Sequence, residues 1–437
     1  MFVAAYYKTS ESPDRALRPT KRLQRFKPRE AQACVGLAAQ FGFATNQCSA
    51  AQSTAHKSLV VLQDSASRAP AASYARRRDS MPLPALEKHQ RLALAAAAGL
   101  AAAAYVRRKL KTKIRAAFDI GSGEHKLVVA AVHGTTVRVL HSEVSTVLLA
   151  QDLTRPGGDG ALSAGALRAS KEALGDLADR ATAYGATERA GVATAVFRRA
   201  KNGTEHLTKC SEALALNLKI VPQSLEGELG FLTACAAAGR EVACAWDSGG
   251  GSFQLSARVG GGGVRVYAGP VGNADAFAQL RDLGGATAPA VKACIAALTE
   301  ALPQAPAWLA AALREGPAVA FGHRSSCFRV ACDAVGASSF GPEDVARATA
   351  KLCALGDDGA RADWFQYVAA GHAHVVAPLA DRAALDEPYP EPHLAIAKLV
   401  LVAAVMAKLN VARVKYHETN GSCLGVLLHE PFWEEAK

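Results

Sequence analysis

Two observations predict an α/β protein made of two distantly repeated halves. Short apolar runs of strand length alternate with longer stretches whose apolar residues recur at helical spacing. One opening unit also occurs twice: an apolar run, an aspartate followed by a glycine- and serine-rich turn, then a second apolar run. The first copy comprises residues 116–120, D-I-G-S-G from Asp119, and residues 127–132; the second comprises residues 242–246, D-S-G-G-G-S from Asp247, and residues 253–257. Each copy reads as a β-hairpin with exposed backbone at its tip, and a ligand cleft between the halves would face both tips.

A chain of 437 residues has room for two or three domains and a sizeable core. The formal net charge of +11 is unevenly spread: residues 1–115 hold 21 Lys and Arg against 6 Asp and Glu, and the remainder holds 29 against 33. The basic excess therefore belongs to the leader, the rest has no basic field, and no nucleic-acid partner is expected. Residues 1–80 are rich in Arg, Ser and Ala and poor in acids, the composition of a transit peptide, so a chloroplast or mitochondrial location is expected. Translation from Met81 would instead leave the protein cytoplasmic. The alanine-dominated run 92–106 is short for a bilayer span of about 20 residues, so membrane contact through it is not expected. Residues 1–112 are accordingly read as a disordered or targeting leader, 113–240 as a first domain and 241–437 as a second. The ten cysteines form no C-x-x-C pair and no Cys/His ligand spacing, which gives no sign of a disulfide framework or zinc site and suits a reducing compartment.

After the first hairpin, apolar residues at helical spacing (Leu167, Leu174, Leu177, Ala178) predict an amphipathic helix over 162–184. The apolar run 190–197 reads as a buried strand, 207–216 as a helix and 218–221 as a short strand. Glu226 then falls in the first turn of a helix running to Ala238, with Ser224 as the expected N-cap after Pro222. In the second half, Gly260 to Gly263 read as a hairpin tip joining 253–257 to 264–267. Helices are expected over 291–301, 306–313, 345–355, 364–379 and 394–409, followed by a strand over 412–416. His372 and His374 alternate within one of these helices and so point to different faces, which makes a metal pair improbable.

The chemistry concentrates at the two tips. Glycine lets consecutive N–H groups turn toward a phosphate without a Cβ in the way, and an aspartate at the strand end can hold Mg²⁺ or its water shell. Three consecutive glycines in a hairpin cost conformational entropy, which a close approach to the backbone would explain. V-A-T-A-V-F-R-R-A-K-N-G from Val192 ends a strand at Thr194 and presents Arg198, Arg199 and Lys201; guanidinium groups can take phosphate oxygens bidentately. Neither G-x-x-x-x-G-K-[ST] nor a dinucleotide fingerprint at the hairpin turns occurs, which argues against a P-loop NTPase and a Rossmann fold.

These segments, in this order, resemble the exopolyphosphatase and guanosine pentaphosphate phosphohydrolase (Ppx/GppA) family of the actin-like ATPase superfamily, over residue 114 to about residue 428. Asp119, Ile120, Gly121 and Ser122 match the family's first phosphate loop, with Lys126 in its basic place. Ala193, Thr194, Arg198, Ala200 and Asn202 match its A-T-x-x-x-R-x-A-x-N segment. The family's catalytic glutamate falls on Glu226, its second loop on Asp247 and Gly249 to Ser252, and its later P-[LIV]-G on Pro270, Val271 and Gly272. Four positions depart from the pattern. Gln254 replaces the glutamate closing the second loop, Glu228 replaces an arginine, only Gly322 remains of the third glycine-threonine loop, and Cys423 stands where the closing segment has arginine. Arg324 and Ser326 remain as groups beside Gly322 that can bind an anion.

The resemblance implies two ribonuclease-H-like domains with a cleft between them and Mg²⁺-dependent hydrolysis of a phosphoanhydride. Glu226 would be the general base and Asp119 and Asp247 the metal ligands. The phosphates would be held by Gly121, Ser122, Gly123, Lys126, Thr194, Arg198, Gly249, Gly250, Gly251, Ser252 and Gly322. The helix N-terminus is expected to keep Glu226 ionised. Expected substrates are inorganic polyphosphate or guanosine penta- or tetraphosphate, and homodimerisation stays open. The alternative is a catalytically silent sensor that binds a phosphorylated ligand in the same cleft; a kinase of the same superfamily lacks an identifiable adenosine-binding loop.

Overall fold

The computed structural model describes residues 5–6, 112–356 and 394–434. The leader expected over 1–112 therefore lies outside the described residues, apart from Ala5, Tyr6 and Thr112, as do the run 92–106, the helix expected over 364–379 and His372 with His374. Among the described residues no helix is long and apolar enough to cross a membrane.

The first lobe is built on a sheet of six strands: β1 (Ala5–Tyr6), β2 (Lys113–Ile120), β3 (Glu124–His133), β4 (Thr136–Thr146), β5 (Glu188–Ala193) and β6 (Asn217–Ile220), in the order β1-β4-β3-β2-β5-β6. The second sheet holds β7 (Cys244–Ser248), β8 (Phe253–Arg258), β9 (Val264–Gly269), β10 (Ala318–Gly322), β11 (Ser339–Phe340) and β12 (Val414–Glu418), in the order β11-β12-β10-β7-β8-β9. The suspected repeat is explicit in the pairing. β2, β3 and β4 form an antiparallel meander with β5 added parallel to β2; β7, β8 and β9 do the same with β10 parallel to β7. This is the ribonuclease-H-like arrangement, twice.

The central strands are buried on both faces, which is why β2 and β7 read as continuous apolar runs rather than alternating ones. Trp246 on β7 is fully buried and meets Phe328 edge-on, with ring centroids 5.0 Å apart. Helices cover the sheets: Ala164–Ala183 packs on the first, and the apolar Ala395–Leu409 lies in the core of the second lobe. Ser163 caps the former by accepting the Ala166 N–H. After β12 the chain returns to the first lobe. The helix Cys423–Leu428 and the side chains of Phe432 and Trp433 pack with Ala117 and Val128 of that sheet and with Leu229 of the helix Gln223–Ala238.

Two local readings are corrected. The strand expected over 190–197 ends at Ala193, and Val196 and Phe197 belong to a short helix, Ala195–Arg199, whose buried apolar face mimics a strand in a run this short. Ser224 is not the N-cap of the Glu226 helix; Pro222 occupies that position and supplies no side-chain bond. Its fixed φ and missing N–H suit a helix entry, where a donor would be unsatisfied anyway.

Candidate active site

The two hairpin tips are closed by the same bond. Gly121 N–H donates to Glu124 O and Gly249 N–H to Ser252 O, both at 2.9 Å. These two N–H groups, expected on phosphate, are therefore used inside their own turns. The tips face each other across the lobes: a Cβ added to Gly250 would lie 2.9 Å from Ser122 Cβ, and one on Gly251 would lie 3.1 Å from Ala195 Cβ. Glycine at both positions lets the loops approach that closely. Each loop is anchored from behind. Ala150 N–H donates to Ser122 O at 2.9 Å, while Asn273 and Ala274 N–H donate to Gly249 O and Gly250 O at 3.1 and 3.0 Å.

Between them lies a pocket of about 90 Å³ lined by both loops, Asp119, Lys126, Thr194, Glu226, Asp247 and Gly322. It brings together the nominated residues except the basic groups Arg198, Arg199, Lys201 and Arg324, of which Arg198 stands just behind Glu226. Glu226 is 7% exposed, and Arg198 Nη1 donates to its Oε2 at 2.7 Å and to Val221 O at 2.8 Å, while Nη2 reaches Ser252 Oγ at 3.3 Å. A guanidinium nominated for phosphate is thus bonded to the base and the second loop. Thr194, also buried, follows β5 as the N-cap residue of the short helix Ala195–Arg199 and lines the pocket.

Electrostatics also depart from expectation. Burial pushes the Glu226 carboxyl up to about 8, with Asp247 and Asp119 adding to the rise and Arg198 opposing it. The helix N-terminus was expected to keep this group ionised; desolvation outweighs it. Asp247 is pushed up to about 7 by burial and by Asp119, against Lys126. Burial would lower the Lys126 ammonium, but Asp119, Glu124 and Asp247 around it hold it above its ordinary value. Glu124 lies well below the usual carboxylate range: His323, Lys126 and Ser325 outweigh the burial that would raise it.

Four carboxylates, those of Asp119, Glu124, Glu226 and Asp247, line the pocket with one ammonium. Among the described residues no three His, Cys, Asp or Glu side chains are arranged to hold a metal ion. Mg²⁺ commonly takes one or two carboxylates and completes its shell with water and phosphate oxygens. The Asp119 and Asp247 pair, close enough for one charge to raise the other's pKa, fits that habit. Asp119 is further fixed by Ser422, whose N–H donates to its Oδ2 at 2.9 Å.

The departures sort by position. Glu228 turns away, its side chain 45% exposed with His429 Nε2 3.9 Å off, so the reversed charge lies outside the pocket. Gln254 is buried and donates from Nε2 to Ser252 Oγ at 3.2 Å, bracing the second loop. Ser326 caps the helix Cys327–Val335 through the Arg329 N–H and still lines the pocket. Cys423 is fully buried, its thiol pushed up by burial. Sequence reasoning missed Glu124, Asn273, Ser325 and Ser422 as pocket residues. Each stood beside a position already named or a glycine turn, Glu124 at the close of the first turn, Asn273 after Gly272, Ser325 between Arg324 and Ser326 and Ser422 after Gly421, but only the folded chain brings them into one pocket.

Fold and pocket together define a protein of two ribonuclease-H-like lobes with a small polar pocket between them. The resemblance to the Ppx/GppA phosphatase family is borne out over residues 127–325, which match the family's pattern. The crystal structure of the Aquifex aeolicus member of the Ppx/GppA family is similar at 16% identity and a TM-score of 0.52, covering 74% of this chain and 99% of that one. An exopolyphosphatase from Cytophaga hutchinsonii is similar at 13% identity and a TM-score of 0.54, covering 74% and 99%. An exopolyphosphatase-like protein is similar at 17% identity and a TM-score of 0.54, covering 73% and 98%. At these identities the likeness is one of fold. No curated protein matches the chain in sequence.

Proposed function

We propose that this chain is a phosphoanhydride hydrolase that releases terminal phosphate from inorganic polyphosphate or guanosine pentaphosphate. The observation that carries the reading is the meeting of a buried carboxylate, Glu226, with two facing glycine loops in one pocket. Glu226, once ionised, accepts a proton from a water as that water's oxygen bonds to the terminal phosphorus. The bond from phosphorus to the bridging oxygen breaks in line, and the shortened chain leaves with the electron pair. A carboxylate whose pKa is raised is a stronger base than an ordinary one, at the expense of being ionised only toward higher pH. Backbone groups of the two loops, with Lys126, hold the phosphate oxygens, and Thr194 borders the transferred group. Asp119 and Asp247 would hold Mg²⁺, which when bound neutralises charge on those oxygens.

A second reading, a silent phosphate-ligand sensor, is favoured by the Arg198 guanidinium already seated on Glu226. Phosphate release from tripolyphosphate and from guanosine pentaphosphate, with and without Mg²⁺, separates the two. Hydrolysis is expected in wild type and a loss of about 10³-fold in Glu226→Gln. Ligand binding with no turnover in wild type would establish the sensor instead.

A further inference from the structure

Beside the second glycine loop an ion pair joins the two lobes, and its guanidinium is close enough that a Cβ on Gly251 would lie 3.1 Å from Arg199 Nη1. Arg199, the last residue of the short helix Ala195–Arg199 in the first lobe, meets Asp275 of the helix Asn273–Asp282 in the second. The contact is bidentate, with Nη2 to Oδ1 at 2.8 Å and Nη1 to Oδ2 at 3.1 Å. We propose that Arg199 and Asp275 form a clasp that positions the second glycine loop against the first, and so sets how firmly the terminal phosphate is gripped. This rests on the hydrolase reading for its consequence, but not for its geometry.

Both ends of the clasp lead into the site. Asp275 Oδ2 also accepts the Gly272 N–H at 2.9 Å, and the next two N–H groups, of Asn273 and Ala274, donate to Gly249 O and Gly250 O. Pulling on Asp275 therefore pulls on the loop itself. On the other side, Arg199 follows Arg198, which holds both Glu226 and Ser252. A guanidinium in fork geometry on a carboxylate fixes direction as well as distance, which a lysine would not. Arg199 is 39% exposed at its side chain and Asp275 21%, so the pair is open to water and to salt. Such a pair is weak enough to open for substrate entry yet strong enough to bias the loops closed.

Two measurements on the full chain test the clasp. In the ligand-free protein, amide hydrogen exchange at 249–252 and 272–274 should quicken about three- to fivefold in Arg199→Gln and equally in Asp275→Asn, with the double variant no faster than either. With tripolyphosphate, each single variant should raise KM by a similar factor while kcat stays within twofold, and Arg199→Lys should recover only part of the grip. Unchanged exchange at those segments, or effects that simply add in the double variant, would overturn the clasp. If wild type hydrolyses neither tripolyphosphate nor guanosine pentaphosphate, the hydrolase reading falls, and the exchange measurement alone decides the clasp.

Discussion

Replacing Gly250 by alanine tests the closeness of the two tips directly. The added Cβ would lie 2.9 Å from Ser122 Cβ and 3.4 Å from both Ala150 Cβ and Asn273 Oδ1, whereas ordinary contact begins at 3.4 Å. The closest of these, Ser122 Cβ, moves only with its backbone. Ser122 is held by the Ala150 N–H on its carbonyl oxygen, so the tips must part by roughly 0.5 Å. A misplacement of about 1 Å at a phosphate-gripping site costs on the order of 10²-fold, so half of that predicts about tenfold in kcat/KM, or about 1.4 kcal/mol. Phosphate release from tripolyphosphate measures it, with Gly263→Ala, whose Cβ would meet nothing within 4 Å, as the control in the turn between β8 and β9. The melting temperature should fall by no more than a few degrees, since the strain sits at a loop tip. A Gly250→Ala enzyme within twofold of wild type would refute the claim that the two loops grip one phosphate together.

Three further outcomes follow from the same structure. His125 is buried on β3 with Nε2 2.9 Å from Ser170 Oγ, and burial holds its ring pKa down at about 3. The folded state thus binds fewer protons than the unfolded one below the ordinary value of 6.5, so stability is full above pH 6.5 and declines as pH falls toward 3, by ~2 kcal/mol at pH 5 from this ring. Urea titrations at pH 7 and 5 should show a smaller decline in His125→Gln, and parallel declines would rule the ring out as the cause. Gly175 lies inside the helix Ala164–Ala183 with nothing near its missing side chain, so Gly175→Ala should stabilise the fold by about 0.5–1 kcal/mol in a denaturant titration. Mg²⁺ should raise the melting temperature of wild type and not of Asp247→Asn; an equal rise in both would remove Asp247 from the metal's ligands.

Much of the site was legible because its parts are local. A hairpin tip is specified by residues a few places apart, so Asp119, the Gly121 and Gly249 turns, Asp247 and the helix carrying Glu226 can be read from spacing alone. The repeat was legible for the same reason, since each copy is one continuous unit. Reading failed where a short apolar run had to be assigned, as at Val196 and Phe197, because buried helix and buried strand are equally apolar over five residues.

The amino-acid order by itself determined the alternating fold, the two glycine loops and the carboxylate between them. What only the tertiary structure decided is the state of those groups. Arg198 sits on Glu226 across 28 residues, Ser325 reaches Glu124 across 201, and Ser422 braces Asp119 across 303. A carboxylate's proton affinity is set by the water it loses and the charges it gains, and both come from segments that meet only when the chain has folded.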